Sequence, residues 1–577
     1  LELIGMKSVF TVDQIRRAEE RLFAVQKDPD ELMISAASAV ADVALAMVQQ
    51  PPSDIVEEER ILLLVGAGGN GGDALYAGAF LSEEGHHVDA LLLGGDRVHE
   101  SALACFSTLG GVVLKERPYA FNYRLVIDGI VGIGGHGGID PDTARYVEHF
   151  YSAGVPVLAI DIPSGIDADT GALPEPAMVQ LEGYDAGAPI ARQLIPTHIN
   201  ADVTITFGGL RRAHAIAMSC GYVLCANIRV EGDGGSMNLA ETLQDIQFED
   251  AGPKIYASQA WLDTPDLPSV SGAYPIGSQF IMLDVEPAPD ADKYTGGVVG
   301  ILAGGQQYPG AAILSCAGAV RATSSMVRFI GDESARHHVI QSLPEVVAST
   351  SIEQAGRVQA WVFGPGRGTG AAEELELRQL LGHPEPLLID ADGITLLAGS
   401  PELQRTARER EHPTVLTPHR GEFERLAETL RERGVPVPVS GDDPIGAALA
   451  LATELDCCVL LKGRSTVVAT ADYVYVVDAG HSWSATPGSG DVLSGLIGAH
   501  LAQSHAELTR LPEFIPDMNL PHTAVYSQVA PAVSIHAVAA ALSARTEFGP
   551  APTSASRIAE AIPAATARVN LNRAMNS

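Results

Sequence analysis

The sequence is short of positive charge: 37 Lys and Arg stand against 71 Asp and Glu, a formal charge of −34 over 577 residues. Such a chain repels phosphate backbones and anionic lipid surfaces over most of its area, so neither nucleic acid nor an acidic membrane is an expected partner. No uninterrupted apolar run approaches about 18 residues. The opening LELIGMKSVF also lacks a basic segment followed by an apolar core. A soluble, unexported, cytoplasmic protein is expected. Cysteine is scarce as well. The six present (Cys105, Cys220, Cys225, Cys316, Cys457 and Cys458) sit mostly inside apolar runs with no CxxC spacing, and reduced, buried thiols are the expectation. What the chain does have is 46% hydrophobic residues, 59 Gly and 36 Pro. That composition supports sizeable cores joined by glycine turns, and the length excludes one small domain.

Helical patterns open the chain, Val12 to Val25 and Glu31 to Val48. Strand-like runs then alternate with helix-period segments: ILLLV from Ile61, VDALLL from Val88, LVID from Leu125, VLAID from Val157, VTITF from Val203 and YVLC from Tyr222. Near-continuous apolar strands separated by helices predict a parallel sheet covered on both faces. From Glu231 to Leu283 the alternation is lost among Gly, Asp, Pro and Ser. A second α/β series starts at VVGILAG (Val298), runs through WVFGPG, LLIDADG, TVLTPH and CVLLKG, and ends in alanine-rich helices. The expected division is residues 1–232, a linker and irregular arm at 233–284, and residues 285–577. No period or motif repeats between the halves, which reads as a fusion of different folds.

The strand ILLLV runs into Gly66–Ala67–Gly68–Gly69–Asn70–Gly71–Gly72, then Asp73 and a helical pattern. Glycines where a strand turns into a helix leave backbone N–H groups open to an anionic ligand. Gly66, Gly68 and Gly71 also satisfy GxGxxG, with Asp89 or Asp96 about where a ribose-binding acid belongs. Against an ordinary dinucleotide fold, Asp73 is placed to cap the helix, which puts negative charge where a pyrophosphate would sit. Two further loops follow later strands: Asp128 with Gly132, Ile133, Gly134, Gly135, His136, Gly137 and Gly138, and AIDIPSGIDADTG with Asp161 and Ser164. Each acid taken singly could simply cap a turn. Asn70, Asp128 and Ser164 together offer only hard oxygen ligands, which suits a monovalent or alkaline-earth cation and excludes structural zinc.

GNGGD, the Asp-plus-GxGG loop, DIPSGIDADTG and ADVTITF together resemble the NAD(P)H-hydrate epimerase domain, over most of residues 10–230. The resemblance implies a Rossmann-like α/β/α fold in which Gly69, Asn70, Gly71, Gly72, Asp73, the 132–138 loop and Asp161 hold the damaged dinucleotide. It also implies that Asn70, Asp128 and Ser164 coordinate K+, and that Asp128 or Asp161 is the acid/base. The family pattern is NNGGDG; this chain has Gly69 for the first Asn and Ala74 for the last Gly.

In the second half, LKGRSTVV puts a cation, a glycine turn and two hydroxyls after a buried strand, and TPGSGDVLSGLIGAHLA starts a long helix with Gly488, Ser489, Gly490 and Asp491. A glycine-rich helix start aims N–H dipoles at a phosphate, and the adjoining Asp can take a proton from an attacking hydroxyl. The alternative is a plain helix cap. In TPHRGEFERL, Glu422 is either a ligand, magnesium being the candidate, or a first-turn acid complementing the helix dipole. With DADG (Asp390 to Gly393), FGPGRG, DKYTGG and LAGGQQYPGAA, GSGD resembles the ribokinase-like NAD(P)H-hydrate dehydratase domain over roughly residues 285–575. By that resemblance Ala311, Gly366, Gly368, His419 and Asp491 contact the hydrated nucleotide. Lys462, Gly463, Arg464, Ser465, Thr466, Gly488, Ser489 and Gly490 bind the adenine nucleotide, and Asp491 is the base. Sugar and vitamin kinases usually have Asn at the His419 position, and the family more often has Leu at Arg367, a residue placed either to strengthen ligand binding or to point into water.

The resemblance implies α/β/α domains in both halves and a paired chemistry. Asp491 deprotonates the C6 hydroxyl of hydrated NADH or NADPH, which attacks the terminal phosphoryl of ADP, with Mg2+ neutralising charge. Phosphate then leaves to regenerate the C5–C6 double bond. Because only the S epimer is dehydrated, an epimerase in the same chain would drain the R form too. ADP as co-substrate and a homo-oligomeric assembly are expected. The competing readings are a vitamin or sugar kinase fused to a non-catalytic nucleotide-binding module, and a nucleotide-sensing scaffold.

Overall fold

A computed structural model describes residues 7–49, 60–180, 192–232, 235–260, 273–275, 286–287, 289–510 and 520–576. The chain divides into two compact units, one built from Lys7–Gly252 with Thr264–Ile276, the other from Pro253–Asp263 with Gly277–Ser577.

The first unit holds an eight-stranded sheet in the order Ala273–Pro275, Tyr222–Ala226, Val203–Phe207, Val157–Ile160, Tyr123–Gly129, Arg60–Val65, His87–Leu92, Val112–Val113. All neighbours are parallel except the Ala273–Pro275 edge. Numbered along the chain from Arg60–Val65, the parallel strands lie 3-2-1-4-5-6-7. The order therefore reverses between Arg60–Val65 and Tyr123–Gly129, and the crevice beyond their carboxyl ends is where such sheets bind ligands. Alternate residues of the ILLLV run enter different cores. Ile61, Leu63 and Val65 join Val40, Ala44, Leu75 and Phe106; Leu62 and Leu64 join Tyr146, Val147 and Phe150. Burial on both faces is why this strand reads as a continuous apolar run.

The second unit orders its sheet Lys254–Gln259, Tyr473–Asp478, Ser465–Ala469, Cys458–Leu461, Thr414–Leu416, Leu387–Ile389, Ala360–Phe363, Val299–Leu302, Val327–Ile330, Val347–Ser349. From Val299–Leu302 onward its parallel strands again lie 3-2-1-4-5-6-7, and the switch falls between Val299–Leu302 and Ala360–Phe363, the strands that lead into LAGG and GPGRG. Val299, Ile301, Val362, Leu388 and Val415 pack with Val492, Leu496, Ile535 and Ile558 of the long helices Ser489–Arg510, Val529–Ser543 and Ala555–Asn576.

The irregular arm expected at 233–284 is largely regular where it is described. A hairpin (Arg229–Gly232 with Gly235–Asn238) leads to the helix Leu239–Glu249, capped by Asn238, and then to the edge strand Lys254–Gln259. The helix buries only Leu239, Thr242, Leu243 and Ile246, and the strand alternates, so neither carries the continuous apolar signal of a central element. The TPDLPS stretch lies outside the described residues. Two helical stretches, Glu31–Val48 and Ala524–Ser543, are long and apolar enough to cross a membrane by length and composition, neither of them an uninterrupted apolar run, and 50% and 89% of these windows are buried inside the fold. The six cysteines are unpaired, five of them buried.

Candidate active sites

In the first unit, the helix Gly69–Glu83 starts from Gly68 with no side-chain cap. Its first N–H groups point out of the sheet's carboxyl edge. Asp73 is therefore not the cap that the sequence suggests. It lies one turn into the helix, where burial and the neighbouring Asp161 and Glu19 charges push its carboxyl well above the usual range. The glycines divide by role. A Cβ on Gly66 would lie 1.7 Å from the Ile130 carbonyl oxygen and one on Gly71 2.3 Å from that of Gly66, whereas Gly68 and Gly69 have nothing within 4 Å. The first pair packs backbone on backbone; the second keeps the cradle open, and a side chain missing at 69 leaves that space to a ligand. Asp89, the acid at ribose-binding spacing, is buried and held by Arg60 at 2.8 and 2.6 Å and by the Tyr123 hydroxyl at 2.7 Å. It faces no ligand, and the Asp96 side chain lies outside the described residues.

Ala74 is accommodated by Gly129. A Cβ on Gly129 would stand 2.5 Å from the Ala74 methyl and 2.9 Å from the Asn70 carbonyl oxygen. Gly129→Ala is expected to destabilise the unit by about 1–3 kcal/mol through overpacking, with partial rescue in the Ala74→Gly/Gly129→Ala double variant. Urea denaturation of the four proteins of this cycle checks the coupling.

Asp161 adopts φ 63°, a strained conformation for a non-glycine residue. Its Oδ1 accepts from Arg211 at 2.8 Å and Thr206 at 3.1 Å. Its carbonyl accepts from His214 Nε2 at 2.7 Å, while His214 Nδ1 accepts from the Arg211 amide at 3.0 Å. Burial and Arg211 keep His214 neutral, with its pKa lowered to about 4. Asp161 Oδ2 points to the ligand side, 3.2 Å from where a Gly132 Cβ would be, and Asn70 Oδ1 lies 2.7 Å from the same point. Asn70 donates to the Ile160 carbonyl at 2.9 Å, which fixes its oxygen toward this space. Behind it, fully buried Asp128 accepts from Ser164 Oγ (2.7 Å), Ser164 N (2.8 Å) and Ile130 N (3.2 Å). Burial pushes Asp128 up to about 6 against the pull of those bonds. Ser164 Oγ also sits 3.0 Å from the Val131 carbonyl. A buried carboxylate with hydroxyl and carbonyl oxygens around it, and no cationic side chain hydrogen-bonded to it, is the donor chemistry of an alkali cation.

The structure thus gathers Asn70, Gly132 and Asp161, with Asp128 and Ser164 behind them. Gly134 and Gly137 stand open, Gly135 rests on Val131, Gly138 abuts Thr197, Ile133 packs on the core, and Gly72 meets Met33 and His99. His136 is exposed, 3.8 Å from Asp167. Arg211, Thr206 and His214 escaped the sequence reading, and so did Glu19, pushed up to about 7 by burial beside Arg211 and Asp161. Its signal was present, since Glu19 lies four residues after buried Ile15 and three before buried Leu22, within the apolar stripe.

In the second unit, Asp491 occupies the first turn of Ser489–Arg510. Burial, then the charge of Asp390, pushes its carboxyl up to about 6, with Lys462 opposing. Asp390 is buried; one oxygen accepts from Lys462 Nζ at 2.7 Å and the other from Ser494 Oγ at 2.6 Å. Lys462 Nζ is thereby held 3.4 Å from where a Gly490 Cβ would be, so an ammonium flanks the amides that open the helix. A cavity of about 390 Å³ adjoins them, lined by His419, Lys462, Gly463, Arg464, Thr466, Ser489 and Gly490. Ser465 pairs with Asp478 in the sheet. Gly488, at φ 84°, abuts Leu314. Neither lines the cavity. Its remaining wall includes His481, Ser482, Ser484 and His536, which the sequence reading missed because only the fold brings them there.

Gly366 faces Ala311, 2.9 Å from its methyl to where a Cβ would be, and the Gly368 amide donates to Asp392 at 2.8 Å. Arg367 neither reaches a ligand space nor points into water: it makes a two-pronged pair with Glu376 at 2.9 and 2.6 Å and is 12% exposed, clamping the loop to the helix Ala371–Leu381. His419 is the N-cap of Arg420–Arg431. Its Nδ1 accepts from the Gly421 amide while Glu422 Oε2 accepts from the His419 amide at 2.9 Å. Glu422 is thus committed to the cap through one oxygen. Among the described residues no group of three or more His, Cys, Asp or Glu is arranged to hold a metal.

Two family models match the chain, one described as YjeF-related protein N-terminus over residues 29–213, the other as NAD(P)H-hydrate dehydratase over residues 299–564. A Corynebacterium glutamicum protein named bifunctional NAD(P)H-hydrate repair enzyme is 62% identical over 575 residues, covering 98% of this chain and 100% of its own. A Neisseria meningitidis protein named ADP-dependent (S)-NAD(P)H-hydrate dehydratase is 33% identical over 222 residues, covering 37% of this chain and 73% of its own. The crystal structure of a Bacillus subtilis ADP/ATP-dependent NAD(P)H-hydrate dehydratase, co-crystallised with ATP and Mg2+, is 25% identical and covers 49% of this chain and 94% of that one, with a TM-score of 0.39.

Proposed function

Because the chain belongs to the family of bifunctional NAD(P)H-hydrate repair enzymes, we propose that it epimerises hydrated NADH and NADPH at C6 in residues 1–232 and dehydrates the S epimer at the expense of ADP in residues 285–577. The kinase-plus-sensor reading loses its support, since both halves match repair-enzyme relatives rather than a kinase and a binding module. A cytoplasmic location goes with this reading.

The observation that carries the dehydratase half is Asp491 at a helix start flanked by the Lys462 ammonium and a 390 Å³ cavity. Asp491 takes the proton of the C6 hydroxyl; the oxygen attacks the terminal phosphorus of ADP, and AMP departs with the P–O bonding pair. The Gly490 and Asp491 amides with Lys462 face the charge that grows on the phosphoryl oxygens. The phosphate group then leaves with the C6–O pair while C5 gives up a proton, which forms the C5–C6 double bond. Mg2+, held by the nucleotide phosphates with Glu422 nearby, would add charge neutralisation at the same place.

In the first unit the Gly68–Asn70 amides receive the dinucleotide phosphates and Asp161 Oδ2 acts as the base. It takes the proton from the C6 hydroxyl, the C6–N1 bond opens with N1 taking up a proton, and reclosure on the other face gives the other epimer. Asn70, Asp128 and Ser164 would hold K+, which would balance the charge of buried Asp128. Racemic hydrate with ADP or ATP, followed at the absorbance band of reduced nicotinamide, tests the whole reading: complete conversion supports both activities, half conversion removes the epimerase, and none removes the dehydratase, with chromatography of the R and S forms then reading the epimerase separately.

The Asp491 carboxyl must be ionised to act as base, so kcat/KM for dehydration is expected to fall about tenfold per pH unit below about 6. Asp390→Asn removes a charge that raises this pKa and frees Lys462, which lowers it. Its acid limb is therefore expected at lower pH than in the unmodified enzyme. A limb that moves upward or stays fixed would contradict this coupling.

A further inference from the structure

The 390 Å³ cavity has a polar group that the proposed chemistry leaves unused. His536, on the helix Val529–Ser543, is 6% exposed and lines the cavity between Val533 and Ala537. Its Nε2 lies 3.1 Å from the Ser489 carbonyl oxygen and 3.1 Å from Ser489 Oγ. A carbonyl only accepts, so Nε2 carries the hydrogen. Burial, with His481 and Lys462 nearby, holds the ring neutral, its pKa lowered to about 4. The remaining nitrogen, Nδ1, then bears a lone pair. It has no protein partner among the described residues and is not sealed from solvent, so its free acceptor opens on the cavity.

The neighbouring wall is apolar: Val477, Ala479, Leu493, Val533 and Ala537. Phosphates belong beside Gly490 and Lys462, and an accepting ring nitrogen gains no hydrogen bond from a phosphate oxygen, which also only accepts. A fixed acceptor beside such a wall suits a nucleoside, because a site built to accept a hydrogen bond rejects ligands that lack the donor. We propose that His536 is a specificity-determining residue of the nucleotide cavity, its Nδ1 accepting a hydrogen bond from a donor on the nucleoside, either a ribose hydroxyl or the adenine 6-amino group. The inference rests on the dehydratase reading for the identity of the ligand as an adenine nucleotide.

Calorimetric titration of the full chain with ADP, 2′-deoxy-ADP, 3′-deoxy-ADP and IDP tests it without any variant. One analogue is expected to bind about tenfold more weakly than ADP, and which one identifies the donor. Equal affinity for all four overturns the proposal. In His536→Gln, whose amide can still reach Ser489 but which has no acceptor at the Nδ1 position, ADP is expected to weaken about tenfold to the level of that analogue, with the difference between them gone. A variant that keeps the discrimination overturns the proposal, as does one that weakens all four nucleotides alike, which marks a purely structural histidine. Dehydration of S hydrate by the unmodified protein in parallel reports separately on the dehydratase reading, because nucleotide binding is measured whether or not turnover occurs.

Discussion

Asp491→Asn is expected to lower dehydration of the S hydrate by about 10²–10⁴-fold, the usual contribution of a positioned general base, while ADP still binds and epimerisation continues. The substitution is nearly isosteric, and Asp491 does not hold the cavity together: the Lys462–Asp390–Ser494 network and the Ser489–His536 contacts do that. The variant should therefore keep its nucleotide affinity. Removing a half-buried carboxylate whose pKa is raised to about 6 also relieves a cost of ionisation at neutral pH, so the second unit should unfold at an equal or higher temperature. Chromatography of the R and S forms over time, with absorbance for product, separates the activities. Parallel loss of dehydration, ADP binding and epimerisation would contradict the division of labour.

The other large effect is expected at Asp161. Asp161→Asn removes the base and leaves the buried Arg211 guanidinium without its carboxylate, 2.8 Å away in the native protein. Breaking a buried pair from one side typically costs about 3–5 kcal/mol, so a lower unfolding temperature of the first unit should accompany a loss of epimerisation of about 10²-fold or more. Dehydration of pure S hydrate should be unchanged, because Asp161 lies in the first compact unit and the GSGD site in the second. Asp128→Ala makes an instructive comparison. It orphans the Ser164 and Ile130 amides and removes the proposed cation ligand, so epimerisation should fall and should not recover with added potassium. Asp161→Asn with full epimerisation would move the role of base to Asp128.

Much of this was legible in the sequence, because strands buried on both faces announce themselves as continuous apolar runs and because glycine is required where backbones touch. ILLLV, VLLK and the loops after them were placed from those signals alone. What escaped did so for physical reasons. The role of Asp73 depended on which residue begins the helix, and an uncapped glycine start shifted it one turn inward. The helical phase of Glu19 marks it as inward-facing, but only packing puts it beside Arg211. Arg367 found Glu376, nine residues on, a pairing that composition cannot choose over solvent or ligand. His481 and His536 come to the cavity from a loop and a helix far along the chain, and no spacing rule connects them to Lys462. The Leu239–Glu249 helix was lost among polar neighbours because it buries a single narrow stripe.

The strand order shared by the two sheets has a practical corollary. Both proposed sites lie at the carboxyl edges of their strands, so the opposite rims lie away from them. The exposed turn at residues 84–86, before His87–Leu92, is a position where a fluorophore or an affinity tag could be inserted to report on folding away from the proposed site.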